Sequence, residues 1–297
     1  MTEPLLSPGQ NFLQTPDDRE GWASYFLNQG YVVYLTDQPQ RGRSPWLPGY
    51  GNLTAFSVAT VQTYFTAPQN YDLWPQAHLH TQWPGTGVAG DPIFDAFYAT
   101  QVQAQSNASM SEANNRHSYS ALLDKIGPAV LVTHSQAGAY GWSIADTRPS
   151  LVKGIVALEP EGPPFVNEII NTGFARPYGI TILPVEYDPP VGPNATGLTT
   201  MTVAAANANE SSCSLQTEPA KQLVNLLKIP VLLLTSEAGY HAVYDRCTVN
   251  YLSQAGVNVS WWSLGQLGIH GNGHFMFMER NNLEIAERVD GWLRTLI

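Results

Sequence analysis

Charge is scarce in this chain: Asp, Glu, Lys and Arg make up 13% of its 297 residues, against roughly a quarter in an average soluble protein. Basic residues are the scarcer kind, 14 against 24 acidic ones, for a formal net charge of −10. That balance argues against nucleic acid or an anionic bilayer as a partner, because both are bound through Lys and Arg. Long apolar runs are missing too, so no transmembrane helix is expected. The opening "MTEPLLSPGQ" has neither a basic n-region nor an apolar h-region and does not read as a signal peptide. Cysteine is limited to Cys213 and Cys247, compatible with one disulfide or with two buried thiols. Asn52, Asn107, Asn194, Asn209 and Asn258 each open an Asn-X-Ser/Thr sequon. With the cysteine pair they favour an extracellular origin, against which stands the missing signal peptide.

What is present is apolar and well mixed. At 43% hydrophobic the chain has enough apolar surface for a full core. "YVVYLTD" (31–37), "PAVLVTH" (128–134), "VKGIVALE" (152–159) and "IPVLLLTSE" (229–237) are continuous apolar and β-branched runs, the pattern of strands buried on both faces. "VNVSWWSL" (257–264) is a more polar version. Helical patterns cover 17–29, 118–126, 136–146 and 218–228, and residues 282–297 form an amphipathic helix with Ile285, Val289, Trp292 and Leu293 on one face. Strands alternating with helices predict a mostly parallel sheet covered on both faces, here as one α/β domain over 1–297. Two long connections, 44–117 and 160–217, are rich in Pro, Gly and aromatics and are expected to form a lid over a pocket.

The stretch "PAVLVTHSQAGAYGW" runs from a strand into a helix through His134-Ser135-Gln136. Thr133 and Ala137 stand two places either side of the serine, and Gly138, Ala139 and Gly141 follow. A nucleophile elbow needs small neighbours of this kind, because the turn is tight and the helix starts at once. Ser135 is therefore the candidate nucleophile, and the backbone N–H of Gln136 a candidate oxyanion donor. For the base, "GIHGNGHFMFME" offers two histidines. His274 is the better placed, beside the apolar segment that anchors the loop, while His270 reads as a surface histidine. His78 and His80 form an H-x-H pair without further ligands near them in sequence, so no metal site is expected there. Two glutamates compete for the role of acid. Glu237 ends the run at 229–237, and Glu159 ends the run at 152–159, ahead of Pro160. Pattern alone leans to Glu237.

"REGWASYFLNQGYVVYLTDQPQRGRS", "VTHSQAG", "LEPEGPPF", "LTSEAGYHAVYDRC" and "GIHGNGHFMFMERNN" occur in this order. Together they resemble an esterase subgroup of the α/β-hydrolase superfamily, over residues 9 to the end. The resemblance implies an α/β-hydrolase fold and a triad of Ser135, His274 and Glu159, the acid following the family's sixth strand. Glu237 then becomes a structural carboxylate, and a Cys213–Cys247 disulfide is implied. The Asp and Arg residues of "DQPQRGRS" are expected to be structural ion partners. The implied reaction is hydrolysis of a carboxylic ester through an acyl-enzyme, without a cofactor. The rivals are lactone or C–C bond hydrolysis on the same triad, and a silent scaffold. Trp46, Trp74, Trp83, Phe94 and Phe97 in the first insertion point to an apolar or aromatic small-molecule ester, and a homodimer is compatible with the chain. Counted back from "TPDDREGW", the family's His-Gly oxyanion loop falls on Glu3-Pro4-Leu5-Leu6, which lacks that motif. The second oxyanion donor is expected from the backbone near Leu5. The family's third strand also has no counterpart here, and the expectation is either a gap in the sheet or direct pairing of 31–37 with 128–134.

Overall fold

Continuous apolar runs build the sheet wherever they find a partner strand. In the computed structural model, which describes residues 9–296, β1 (Ala129–His134), β2 (Val152–Leu158), β3 (Val231–Thr235) and β4 (Val259–Ser263) form a four-stranded sheet in the order β4-β3-β2-β1. β1 runs parallel to β2, with Thr133 beside Ala157 and His134 beside Leu158, and β2 runs parallel to β3. Side chains on both faces of β2 and β3 are buried: Ile155, Val156, Ala157, Leu158, Leu232, Leu233 and Leu234 are all fully enclosed. That explains runs without alternation. The helices that flank the strands in sequence are α3 (Ala108–Ile126), α4 (Ala137–Thr147) and α5 (Asp245–Gln254).

The chain divides into two compact units. Residues 107–235 and 241–262 form one, with the sheet and α3, α4 and α5; of the described residues, 9–106, 236–240 and 263–296 form the other. The second unit contains α1 (Trp22–Asn28), α2 (Pro92–Ala99) and α6 (Asn282–Leu293). Trp22 of α1 is buried and donates its indole N–H to the carbonyl of Asn282, and Phe12 stacks on Phe277. On α6, Ile285, Val289 and Leu293 are buried and Trp292 is half-buried.

Three expectations need correction. Residues 31–37 form no strand. They belong to no sheet among the described residues, with Val32 80% and Tyr34 45% exposed. β-branched composition favours an extended backbone, but only a neighbouring strand satisfies its ladder. Residues 218–228 are not helical either. Gln222 and Leu223 pair with Asp188 and Tyr187, the Leu223 N–H reaches the Ala255 carbonyl, and Leu226 closes a turn on Leu223. Its fully buried apolar residues, Leu223 and Leu226, are anchors of those turns. Finally, the helix expected over 118–126 begins ten residues earlier, where the Asn107 side chain caps α3 by accepting from the Met110 N–H. Its first turns bury Ser111, Glu112 and Asn115, polar residues that hide the helical periodicity.

Glu112 is the cost of that polar face. Its carboxylate accepts from Ile182 N–H at 2.8 Å and Leu183 N–H at 3.2 Å, tying the second insertion to α3. Burial pushes its carboxyl from 4.5 up to about 7, against the pull of those two amides. A carboxyl raised in the folded state contributes stability that is fully present below its unfolded pKa and is lost as pH rises through its folded one. Unfolding free energy should therefore fall between about pH 4.5 and pH 7 by up to about 3 kcal/mol on this account. In Glu112→Gln, whose side chain does not ionise, denaturant titrations across that range should show a flatter profile. Parallel profiles for the two proteins would refute it.

Cys213 and Cys247 are joined, the bridge spanning 34 residues. It ties the hairpin Thr200–Val203/Cys213–Gln216 of the second insertion to α5. Closing such a loop in the unfolded chain is worth roughly 3–4 kcal/mol in the chain-entropy account. Urea unfolding with and without reductant should differ by about that amount, and coincident curves would show the bridge to be neutral.

Candidate active site

At the end of β1 the backbone turns through a left-handed residue, Ser135, with φ +56°. A non-glycine residue there is uncommon, and such positions gather at functional sites. The turn is held from both sides: Ser135 N–H donates to the Leu158 carbonyl at 3.1 Å. Its own carbonyl accepts from Gly138 N–H at 2.9 Å and Glu161 N–H at 2.8 Å. Gln136 is the N-cap residue of α4, so its N–H lies at the first turn of that helix, where backbone donors lack helical partners. The small residues have specific neighbours. A Cβ on Gly138 would fall 2.3 Å from Cβ of Pro160, and one on Gly141 would sit 3.0 Å from the Thr133 methyl. Thr133 and Ala137 therefore serve where glycines stand in the G-x-S-x-G pattern, because the tightest contact falls on Gly138 instead.

Glu159 occupies the corresponding position at the end of β2, also left-handed at φ +42°, fully buried, and with its N–H on the Leu234 carbonyl at 2.9 Å. Ser135 and Glu159 thus leave the carboxyl ends of adjacent parallel strands, where open α/β sheets place their ligand crevices. The loop after Glu159 is set by Arg176, a buried guanidinium that donates to the Pro163 and Val166 carbonyls, to Asn167 Oδ1 at 2.7 Å and to Glu161 Oε1 at 3.2 Å. Near Glu159 in the same unit lies a buried pair the sequence reading did not single out. His241 Nδ1 and Asp245 Oδ1 are 2.8 Å apart, one helical turn from each other. Burial pushes the imidazole of His241 down to about 4, and burial together with the Glu159 charge raises the Asp245 carboxyl well above the usual range. The i, i+4 spacing of a histidine and an aspartate in "YHAVYD" was the available signal.

His274 belongs to the other unit. It is 1% exposed, stacked on Phe65 at 5.3 Å between ring centroids and tilted against Tyr240 at 4.9 Å. Its loop is built around the buried Glu279. That carboxylate accepts from Gly273 N–H at 3.0 Å and Asn272 Nδ2 at 2.8 Å, and faces His80 Nε2 at 2.8 Å. Gly273 is required by this crowding, since a Cβ would come 2.9 Å from the His80 ring, whereas Gly271 supplies the left-handed φ of +78°. His80 uses its other ring nitrogen on Gln69 Oε1 at 2.8 Å. Glu237 faces His270 Nδ1 at 2.8 Å and accepts from Gly271 N–H at 2.8 Å. The acid and the histidine that compete with Glu159 and His274 are therefore each other's partners, and His270 is well exposed.

The insertion aromatics are core side chains. Trp74, Trp83, Phe94 and Phe97 are each 3% exposed or less, with Trp83 and Phe97 packed on Phe275 and Trp74 edge-on to Tyr240. Trp46 alone of the five is exposed. Asp37 and Arg43 pair at 2.8 Å, as expected of "DQPQRGRS". Leu5 lies outside the described residues.

No family model matches the chain. It is 59% identical over 286 residues to a "Probable secreted lipase phiG" from Fungal sp. (strain ATCC 74256), covering 96% of this chain and 78% of that protein. The chain belongs to the α/β-hydrolase superfamily. A solved structure of a novel bacterial esterase shares the fold of this α/β-hydrolase, with a TM-score of 0.64 at 23% identity over 99% of this chain and 79% of that one. In this α/β-hydrolase the left-handed Ser135 lies between the end of β1 and the start of α4.

Proposed function

We propose that this α/β-hydrolase cleaves carboxylic esters through an acyl-enzyme on Ser135. One observation carries the reading: Ser135 stands half-exposed in a strained strand-to-helix turn, beside a buried glutamate on the next strand. The similarity to a probable lipase supports ester hydrolysis as the reaction. In this mechanism His274 takes the Ser135 Oγ proton as Oγ attacks the ester carbonyl carbon. Gln136 N–H holds the developing oxyanion. Glu159 keeps the imidazole in the productive tautomer and stabilises it once charged. The intermediate collapses, and His274 returns the proton to the departing alcohol. Water, deprotonated by His274, then attacks the acyl-enzyme and releases the acid and Ser135. No cofactor enters these steps. The substrate is a small-molecule ester. The disulfide, the five sequons and the relative's description as secreted point to work outside the cell.

The test is a fluorophosphonate probe followed by peptide mass spectrometry. Phosphonylation of Ser135, slowed while an excess of p-nitrophenyl ester competes for the site, is the expected result. An unlabelled Ser135 in folded protein would return the chain to the reading of a silent scaffold.

A further inference from the structure

The triad reading leaves the His241–Asp245 pair without a role, although both residues are about 1% exposed or less. Pairing two ionisable side chains in a core is costly unless every polar atom is placed, and this pair continues outward in a chain of hydrogen bonds. Trp261 Nε1 lies 2.9 Å from Thr235 Oγ1, and Thr235 Oγ1 lies 2.9 Å from Asp245 Oδ2. An indole N–H can only donate, so Thr235 accepts from Trp261 and its own hydroxyl proton goes to Asp245 Oδ2. Asp245 Oδ1 then meets His241 Nδ1 at 2.8 Å. At the far end, a ring nitrogen of His241 and a carboxylate oxygen of Glu159 come within 4.8 Å.

We propose that His241 is a positioning residue for the acid of the triad: its Nε2–H points at the Glu159 carboxylate, and Asp245 holds the ring in that tautomer. This rests on the reading of Glu159 as the catalytic acid. The direction of every bond follows from the ends of the chain. A carboxylate at Glu159 calls for a donor, so Nε2 carries the proton, Nδ1 is the acceptor, and Asp245 is the protonated partner that donates to it. Burial favours the neutral forms of both His241 and Asp245, as this arrangement needs. The other charges acting on His241 are Glu161 and Arg176, which face each other at 3.2 Å, and the Tyr244 ring packs against the imidazole at 4.8 Å. A fixed N–H dipole lets a fully buried carboxylate stay ionised and keep one orientation, which is what a base-orienting acid requires.

The experiment compares variants on one soluble p-nitrophenyl ester. His241→Phe keeps the ring and loses the N–H. It should lower kcat by about 10–100-fold, the range of one hydrogen bond to a charged group, with KM within about twofold. It should also move the acid limb of kcat/KM up by about one pH unit, because a carboxylate without its donor holds a proton more tightly. His241→Gln, whose amide can donate from the Nε2 position, should restore most of the activity. Asp245→Asn should stay close to the parent, its amide reproducing the neutral acid that accepts from Thr235 and donates to His241. Added to Glu159→Gln, His241→Phe should cause no further loss. If Glu159→Gln alone leaves kcat intact, the acid assignment fails. If Glu159→Gln collapses kcat while His241→Phe leaves kcat and the pH limb at parental values, the positioning role fails and the acid stands. Histidine ¹⁵N spectra of the unsubstituted protein decide the matter even if His241→Phe does not fold. An Nε2–H tautomer for His241, shifted by Glu159→Gln, is expected, and an Nδ1–H tautomer overturns the proposal.

Discussion

Ser135→Ala should abolish turnover of a short p-nitrophenyl ester, lowering kcat by about 10⁴-fold or more, the scale on which removal of a triad nucleophile acts. The fold should survive. The turn at Ser135 is held by backbone bonds, from Ser135 N–H to Leu158 and from Gly138 and Glu161 to the Ser135 carbonyl, and alanine keeps all three. The hydroxyl is the one group removed, from a residue that is half-exposed while the glutamate beside it is enclosed. Circular dichroism and a thermal melt should overlay those of the parent. Turnover that persists in a folded Ser135→Ala protein would end the nucleophile assignment and the acyl-enzyme with it.

The second large effect concerns the acid. Glu159→Gln should cut kcat by about 10²–10⁴-fold, since an amide leaves the histidine in the wrong tautomer and uncompensated when charged. Glu237→Gln should cost less than about tenfold. Glu237 already serves His270 Nδ1 and Gly271 N–H, and glutamine keeps an acceptor for one of them, so what is lost is one partly exposed hydrogen bond of modest worth. Steady-state rates of the two variants on one ester give the ranking directly. The reverse order would return the acid to the end of β3 and remove the ground for the His241 proposal.

Much of this was legible along the chain. The runs that became β2 and β3 end within a few residues of the strand ends, because strands buried on both faces announce themselves as uninterrupted apolar residues. The corner at Ser135 was visible for a related reason: a tight turn into a helix tolerates only small side chains, and their crowding leaves a mark in composition. Residues 31–37 carry the same apolar mark and form no strand. Composition reports the preference of a segment for extension, not the presence of a neighbour, and Val32 at 80% exposure lacks the cover that the run implied. Residues 218–228 and the early start of α3 failed for the opposite reason, since buried polar groups and turn anchors obscure periodicity.

By itself the sequence determined the strand-forming runs, the small-residue corner around Ser135 and the cysteine supply for one bridge, all of them consequences of local sterics and of which surfaces water rejects. Tertiary structure decided the partners. It set Glu159 beside the turn at Ser135 by pairing β2 with β1, and it gave Glu237 to His270. It joined Cys213 to Cys247, and it brought Trp261 and Thr235, each from another segment, onto the Asp245–His241 pair. A buried polar atom must find its hydrogen bond wherever the packed chain brings a donor or acceptor within about 3 Å, and that distance has no counterpart in the spacing of residues along the sequence.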